Sequence, residues 1–291
     1  MDPAPSHPES PSRPSSGGST VPSYDVGLAD LRVARPPGSA PGVVLVTLDL
    51  PDRRNMMSAA MTASWGRAMA GLAADPSVRA VVVTGEGSAF CSGGDVSWIG
   101  AEPDATVDEL RSRMLPFYRT WLSVRELEVP TIVAVNGAAI GAGLALALAC
   151  DLRYAAEDAV LSVPFTALGM HPGMATTYLL PEVAGLAVAR EMLLTGRPLT
   201  GAEAAACGLV TRAVPRDQVL ATALAAADAV AAAAPIATRL TKRALLGGGH
   251  PSFEAALEWE ALAQPVTLAT ADLQEGLLAR HERRPPRFGG S

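Results

Sequence analysis

Apolar runs without alternation and apolar residues at helical spacing take turns along most of this chain. GVVLVTLDL (42–50) is β-branched, apolar and stopped by Pro51, which predicts a strand. SAAMTASWGRAMAGLAA (58–74) has helical spacing behind Ser58, which predicts a helix with that serine near its N-cap. VRAVVVTG (78–85) and PTIVAVNG (130–137) are too apolar to be open on one face, so both read as strands buried on two sides. Residues 107–127 between them are helical in pattern but interrupted at Pro116. GAGLALALAC (141–150) predicts an apolar helix opening on glycines, and residues 151–164 read as extended segments. From about residue 173 the pattern is mostly helical. A short strand, LVTRAVP (209–215), precedes four helical stretches starting near Arg216, Pro235, Ser252 and Ala271.

Strand–helix units followed by helices indicate α/β layering with an appended helical element. Some late helices are apolar enough to need a partner surface, so oligomerisation is expected. Residues 1–25 are mostly Pro, Ser and Gly and cannot bury enough apolar surface to order themselves. The expected organisation is a disordered tail (1–25), a core domain (26–215) and a C-terminal helical oligomerisation region (216–291).

Composition narrows the function classes. Half of the 291 residues are hydrophobic (49%), enough for a sizeable core, and the net charge of −6 comes without a basic cluster that would suggest nucleic acid. The three cysteines, Cys91, Cys150 and Cys207, form neither a disulfide framework nor a zinc-ligand pattern. The longest apolar runs are too short to span a bilayer, and the N-terminus lacks a signal-peptide pattern. A soluble cytoplasmic protein is the expectation.

Two loops share one logic. CSGGD (91–95) and NGAAIGAG (136–143) each follow a buried strand, consist of small residues and open a helical stretch. Small side chains let backbone N–H groups face an anion or a carbonyl oxygen, and a helix N-terminus adds partial positive charge. Two such loops converging would make an oxyanion hole. A dinucleotide fingerprint does not fit, because GEGSAF ends in Phe and GAAIGAG has the wrong spacing.

AFCSGGD, AVNGAAIGAGLALALACDLRYAAEDA and TGRPLTGAEAAACGLV resemble the crotonase superfamily, which includes the enoyl-CoA hydratases and isomerases. LDLPDRRNMMS (48–58) and ATADLQEGLLARHERRPPRF (269–288) extend the resemblance over roughly residues 26–288. It implies an α/β fold, a crotonase-type spiral of ββα units with a C-terminal helical trimerisation region, assembled as a trimer or a dimer of trimers. It implies an acyl-CoA ligand, with coenzyme A entering as part of the substrate and no separate cofactor or metal. By the same resemblance the thioester oxygen is held by the N–H groups of Gly94 and Ala142. Arg53, Arg54, Asn55, Ala89 and Phe90 line the entrance taken by the CoA nucleotide. Lys242, the single lysine, matches a position that reaches a CoA phosphate of a neighbouring subunit.

The chain departs from the family's hydratases at two positions. The resemblance places a glutamate at each, but this chain has Ala145 and Phe165, and neither can take or give a proton. His171, six residues after Phe165, is the candidate replacement acid/base. Asp95 is read as ordering the first loop through its backbone N–H groups, and Cys91 as a small packed residue. Trp98, Phe117, Tyr118 and Trp121 are candidates to wall an acyl pocket or to fill the core. Three readings stay open: an enzyme relying mainly on the oxyanion hole, with decarboxylation of a malonyl-type thioester the best fit; a binding protein that delivers acyl-CoA to a partner; and a hydratase recruiting other residues such as His171.

Overall fold

The computed structural model describes residues 27–95 and 104–291, so the expected tail and Trp98 lie outside it. Two sheets form a spiral. The larger contains β1 (Leu31–Ala34), β2 (Val43–Leu48), β3 (Ala80–Gly85), β5 (Thr131–Val135), β7 (Leu152–Ala156) and β10 (Arg212–Val214), hydrogen-bonded in that order. The smaller contains β4 (Ala89–Cys91), β6 (Ala138–Ile140), β8 (Val160–Ser162) and β9 (Leu199–Thr200). β3–β4, β5–β6 and β7–β8 are successive turns, each giving one strand to each sheet. The β1–β2 and β8–β9 pairs are antiparallel and the others parallel.

Every residue of β3 and β5 is buried, as their unbroken apolar runs require. One cover is α6 (Val219–Ala231), which lies on β3, β5 and β7 and buries Val219, Ala223 and Ala227. The expected boundary at residue 215 therefore cuts through the packed body: the first of the four late helices belongs to the core. The helices after it, α7 (Pro235–Leu245), α8 (Phe253–Leu268) and α9 (Ala271–Glu282), leave Phe253, Leu262 and Leu277 mostly exposed in the single chain. No single helix among the described residues is long and apolar enough to cross a membrane.

Near the site, α1 (Ala59–Ala74) starts where Ser58 Oγ accepts from the Met61 N–H at 3.0 Å. Helix α2 (Val107–Leu122) opens with a capping box between Thr106 and Glu109. It runs through Pro116, contrary to the expected interruption. Residue 112, whose carbonyl loses its partner there, faces solvent and can be hydrated instead. Trp65 of α1 stacks on Trp121 of α2 at 4.9 Å, and Trp121 Nε1 donates to Thr62 Oγ1 at 3.0 Å. This pair sets the spacing of the two helices. Helix α3 (Ala142–Ala149) is buried at all eight residues, so it lies inside the body as its all-round apolar sequence demands. Beyond it lie α4 (Thr176–Thr195), broken at Gly185, and α5 (Gly201–Ala206).

Candidate functional site

The two glycine-rich loops meet because β4 and β6 are parallel neighbours, with Ala89 opposite Ala138 and Cys91 opposite Ala139. Both strands end at the same edge and deliver their loops side by side. Gly93 has φ +97°, and a Cβ there would lie 2.7 Å from the Ile140 carbonyl oxygen and 3.4 Å from the Ala142 nitrogen. Only glycine combines that conformation with that approach. Gly143 in turn backs onto the Cys91 carbonyl.

The first loop is also fixed from behind. The Met57 N–H donates to the Gly93 carbonyl at 2.8 Å, and Met57 pairs with Gly94 in a parallel bridge. In such a bridge the flanking peptide groups face the partner strand, so the Gly94 N–H is turned to the other side. Ala142 is the first residue of α3, where an N–H has no intrahelical acceptor. Neither N–H has an acceptor among the described residues.

Gly94 and Ala142 both line a cavity of about 980 Å³. One part of the lining is the α1 face of Ala59, Thr62, Ala63 and Gly66, and another is Met114, Phe117 and Tyr118 of α2. Phe165, Leu168, Met170 and His171 close a third side. The lining is mainly apolar with a few polar groups, the character of a small-molecule site. Among the described lining residues Asp95 is the sole carboxylate, and its Oδ2 lies 3.8 Å from Arg53 Nη2. Among the described residues no cluster of three or more His, Cys, Asp or Glu side chains could hold a metal ion.

The remaining sequence candidates divide. Phe165 stands over the start of α3, its ring 3.6 Å from where a Cβ on Gly141 would be. His171 is exposed, with Nδ1 2.8 Å from the Pro172 carbonyl oxygen. A carbonyl only accepts, so Nδ1 carries a proton in this contact. Arg53 and Arg54 are exposed beside the first loop, where the Ser92 N–H donates to the Arg54 carbonyl at 3.0 Å. Trp98 lies outside the described residues.

Other side chains are committed elsewhere. Asn55 is fully buried: its Oδ1 accepts from Leu50 N–H at 2.9 Å, and its Nδ2 donates to the carbonyls of Glu86 and Ala89 at 2.8 and 2.9 Å. It holds the entrance segment in shape and presents no free group to a nucleotide. Ala89 and Phe90 are buried in the core, and Ala145 is fully buried off the cavity wall. Lys242 is also buried. Its Nζ lies 2.9 Å from Asp151 Oδ2 and donates to the Val129 carbonyl at 2.9 Å, so it serves the interior in place of the expected phosphate. Trp121 is core, stacked on Trp65.

Tyr118 is a polar lining residue, the pocket-wall alternative of the two that its sequence position left open. It is half-buried, and desolvation pushes its phenol above the ordinary range, so it stays a proton donor. Its helical spacing relative to Phe117 and Trp121 gave no sign of which ring faced the cavity. Cys91 is the reverse case: beside the loop in sequence, it is buried and its thiol is pushed up to about 12 by desolvation. That excludes a thiolate nucleophile at neutral pH.

Comparison with known proteins agrees with this fold. The family model described as enoyl-CoA hydratase/isomerase matches residues 38–291. A Thermus thermophilus protein provisionally named as an enoyl-CoA hydratase is 39% identical over 246 residues, which cover 84% of this chain and 97% of that protein. The mitochondrial enoyl-CoA hydratase domain-containing protein 2 of Bos taurus is 34% identical, covering 90% of this chain and 89% of its own. Among solved structures, enoyl-CoA hydratase from Bacillus anthracis superposes with a TM-score of 0.84 at 32% identity, covering 90% of this chain and 100% of that one. The chain belongs to the enoyl-CoA hydratase/isomerase family and has the crotonase fold.

Proposed function

We propose that this protein binds an acyl-CoA thioester with its carbonyl oxygen between the N–H groups of Gly94 and Ala142, and that these donors stabilise the thioester enolate. The observation that carries this reading is that Gly94 and Ala142, whose N–H groups have no acceptor among the described residues, line one largely apolar cavity. Arg53 and Arg54, exposed at its edge, suit the phosphates of the CoA moiety.

The reaction that fits best is one in which the enolate forms without a carboxylate base. In decarboxylation of a malonyl-type thioester the Cα–carboxylate bond breaks, its electron pair flows into the thioester as the enolate, and carbon dioxide leaves. A proton from Tyr118 or water then reaches Cα. Phe165 on the wall and Ala145 off it support this over hydration by two glutamates, since neither position has a carboxylate. Donors aimed at developing charge in a dry site supply the main barrier reduction in such chemistry.

A second reading, acyl-CoA binding without turnover for delivery to a partner, is favoured by the same apolar lining. The exposed apolar residues of α8 and α9 suit assembly as a homotrimer or a dimer of trimers.

Purified protein incubated with malonyl-, methylmalonyl- and crotonyl-CoA, with products followed by mass spectrometry, tests the reading. Loss of carbon dioxide from a malonyl thioester with no water added to crotonyl-CoA is expected. Rapid hydration of crotonyl-CoA contradicts it. Tight binding with every thioester left unchanged selects the delivery reading.

A further inference from the structure

We propose that a small buried anion, chloride by size, sits between Arg79 and Arg239 beneath the C-terminal segment. Both side chains line a separate cavity of about 10 Å³, enclosed by Val129, Pro130, Val230, Ala233, Pro235 and Thr238. Arg79 Nη1 and Arg239 Nε are buried there with no hydrogen-bond partner among the described residues. Buried guanidinium N–H groups are seldom left unpaired, so two at one cavity mark an unfilled place.

The charge around the cavity is one-sided. Neither arginine has a carboxylate partner among the described residues. Asp151, which meets Lys242 of the same helix as Arg239, is taken by Lys242 and Thr131. Pro235 is the first residue of α7, so the positive end of that helix adds to the field. Arg79 Nη2 donates to the Phe288 carbonyl at 3.3 Å, which ties the C-terminal segment over the site.

The donor set distinguishes an anion from water. Guanidinium groups only donate, so a bridging water would still have two hydrogens to place among mostly aliphatic walls. An anion accepts from both arginines and leaves nothing unsatisfied. A polyatomic anion such as sulfate or phosphate needs more room than a monatomic one, and the cavity is small. The anion would fasten the strand-β3 end, α7 and the C-terminal segment together, independently of the acyl-CoA site.

Two measurements test this. Crystals soaked in bromide should show an anomalous peak between Arg79 Nη1 and Arg239 Nε. An ordered water, or a side chain from a second copy, at that point overturns the proposal. In solution, replacing gluconate by chloride at constant ionic strength should raise Tm by about 2–4 °C, and Arg239→Met should abolish that difference. Equal Tm values of the unaltered protein in the two salts overturn it as well.

Discussion

The Cys91 carbonyl oxygen occupies the space that a side chain on residue 143 would need: a Cβ on Gly143 would lie 2.3 Å from it. The backbone of the first loop is thus packed directly on the first turn of the site's helix, and the relative position of the two amide donors is fixed by contact. Gly143→Ala should force the loops apart. We expect a loss of about 1–3 kcal/mol in stability, read by urea denaturation, together with a weakening of acyl-CoA binding larger than any other surface-neutral change to α3.

Ala142→Pro isolates one donor. The first helical position tolerates proline, whose ring replaces the N–H there and nothing else in the helix. Stability should change by about 1 kcal/mol or less. Turnover, or acyl-CoA affinity if the protein is a carrier, should fall; for an enzyme the loss expected of one oxyanion donor is about 10²–10³ in kcat. Steady-state kinetics and calorimetric titration on the folded variant measure it.

Lys242→Met should damage the interior and spare the ligand. Asp151, which also accepts from the Thr131 N–H at 2.7 Å and the Thr131 hydroxyl at 2.8 Å, would lose its cation. Breaking a buried pair from one side costs about 3–5 kcal/mol, visible in thermal or chemical denaturation. Affinity for CoA esters, compared below the unfolding range, should be unchanged.

Thiol chemistry follows burial. Cys91 and Cys150 are both pushed up to about 12, chiefly by desolvation. Their neutral forms are favoured by folding, so stability from this source is intact below pH 9 and is lost as pH rises towards 12, because the unfolded chain gives up those protons first. A thiol reagent at pH 8 should label Cys207, which is partly exposed, and leave Cys91 and Cys150 untouched until the protein unfolds. Peptide mapping after labelling reports which.

Much of the spiral could be read from the residues alone, for identifiable reasons. β3 and β5 announce themselves because strands covered on both faces cannot carry polar residues. The start of α1 is written in Ser58. Most of the smaller sheet was not legible, since β4, β6 and β9 are two or three residues long and show no period. The place of α6 was misjudged for a related reason: an alanine-rich helix looks the same whether it covers a sheet or faces a partner. At the site, the small-residue loops pointed to backbone donors because such donors need bare backbone, and the family resemblance narrowed them to Gly94 and Ala142. The fates of Asn55 and Lys242 were not legible, because a polar side chain's partner depends on which distant carbonyl or carboxylate the fold brings to it. Phe117, Tyr118 and Trp121 were all candidates for the pocket wall, and helical spacing alone could not tell that Trp121 goes to the core while the other two line the cavity.

The central claim concerns one oxygen atom. A crystal structure with a non-hydrolysable acyl-CoA analogue bound tests it most directly. The account predicts the thioester-equivalent oxygen within about 2.7–3.1 Å of both the Gly94 and Ala142 nitrogens, the range for oxyanion donors, with the ring of Phe165 beside the acyl chain. An analogue whose carbonyl engages neither nitrogen, or which binds outside the cavity, would contradict it.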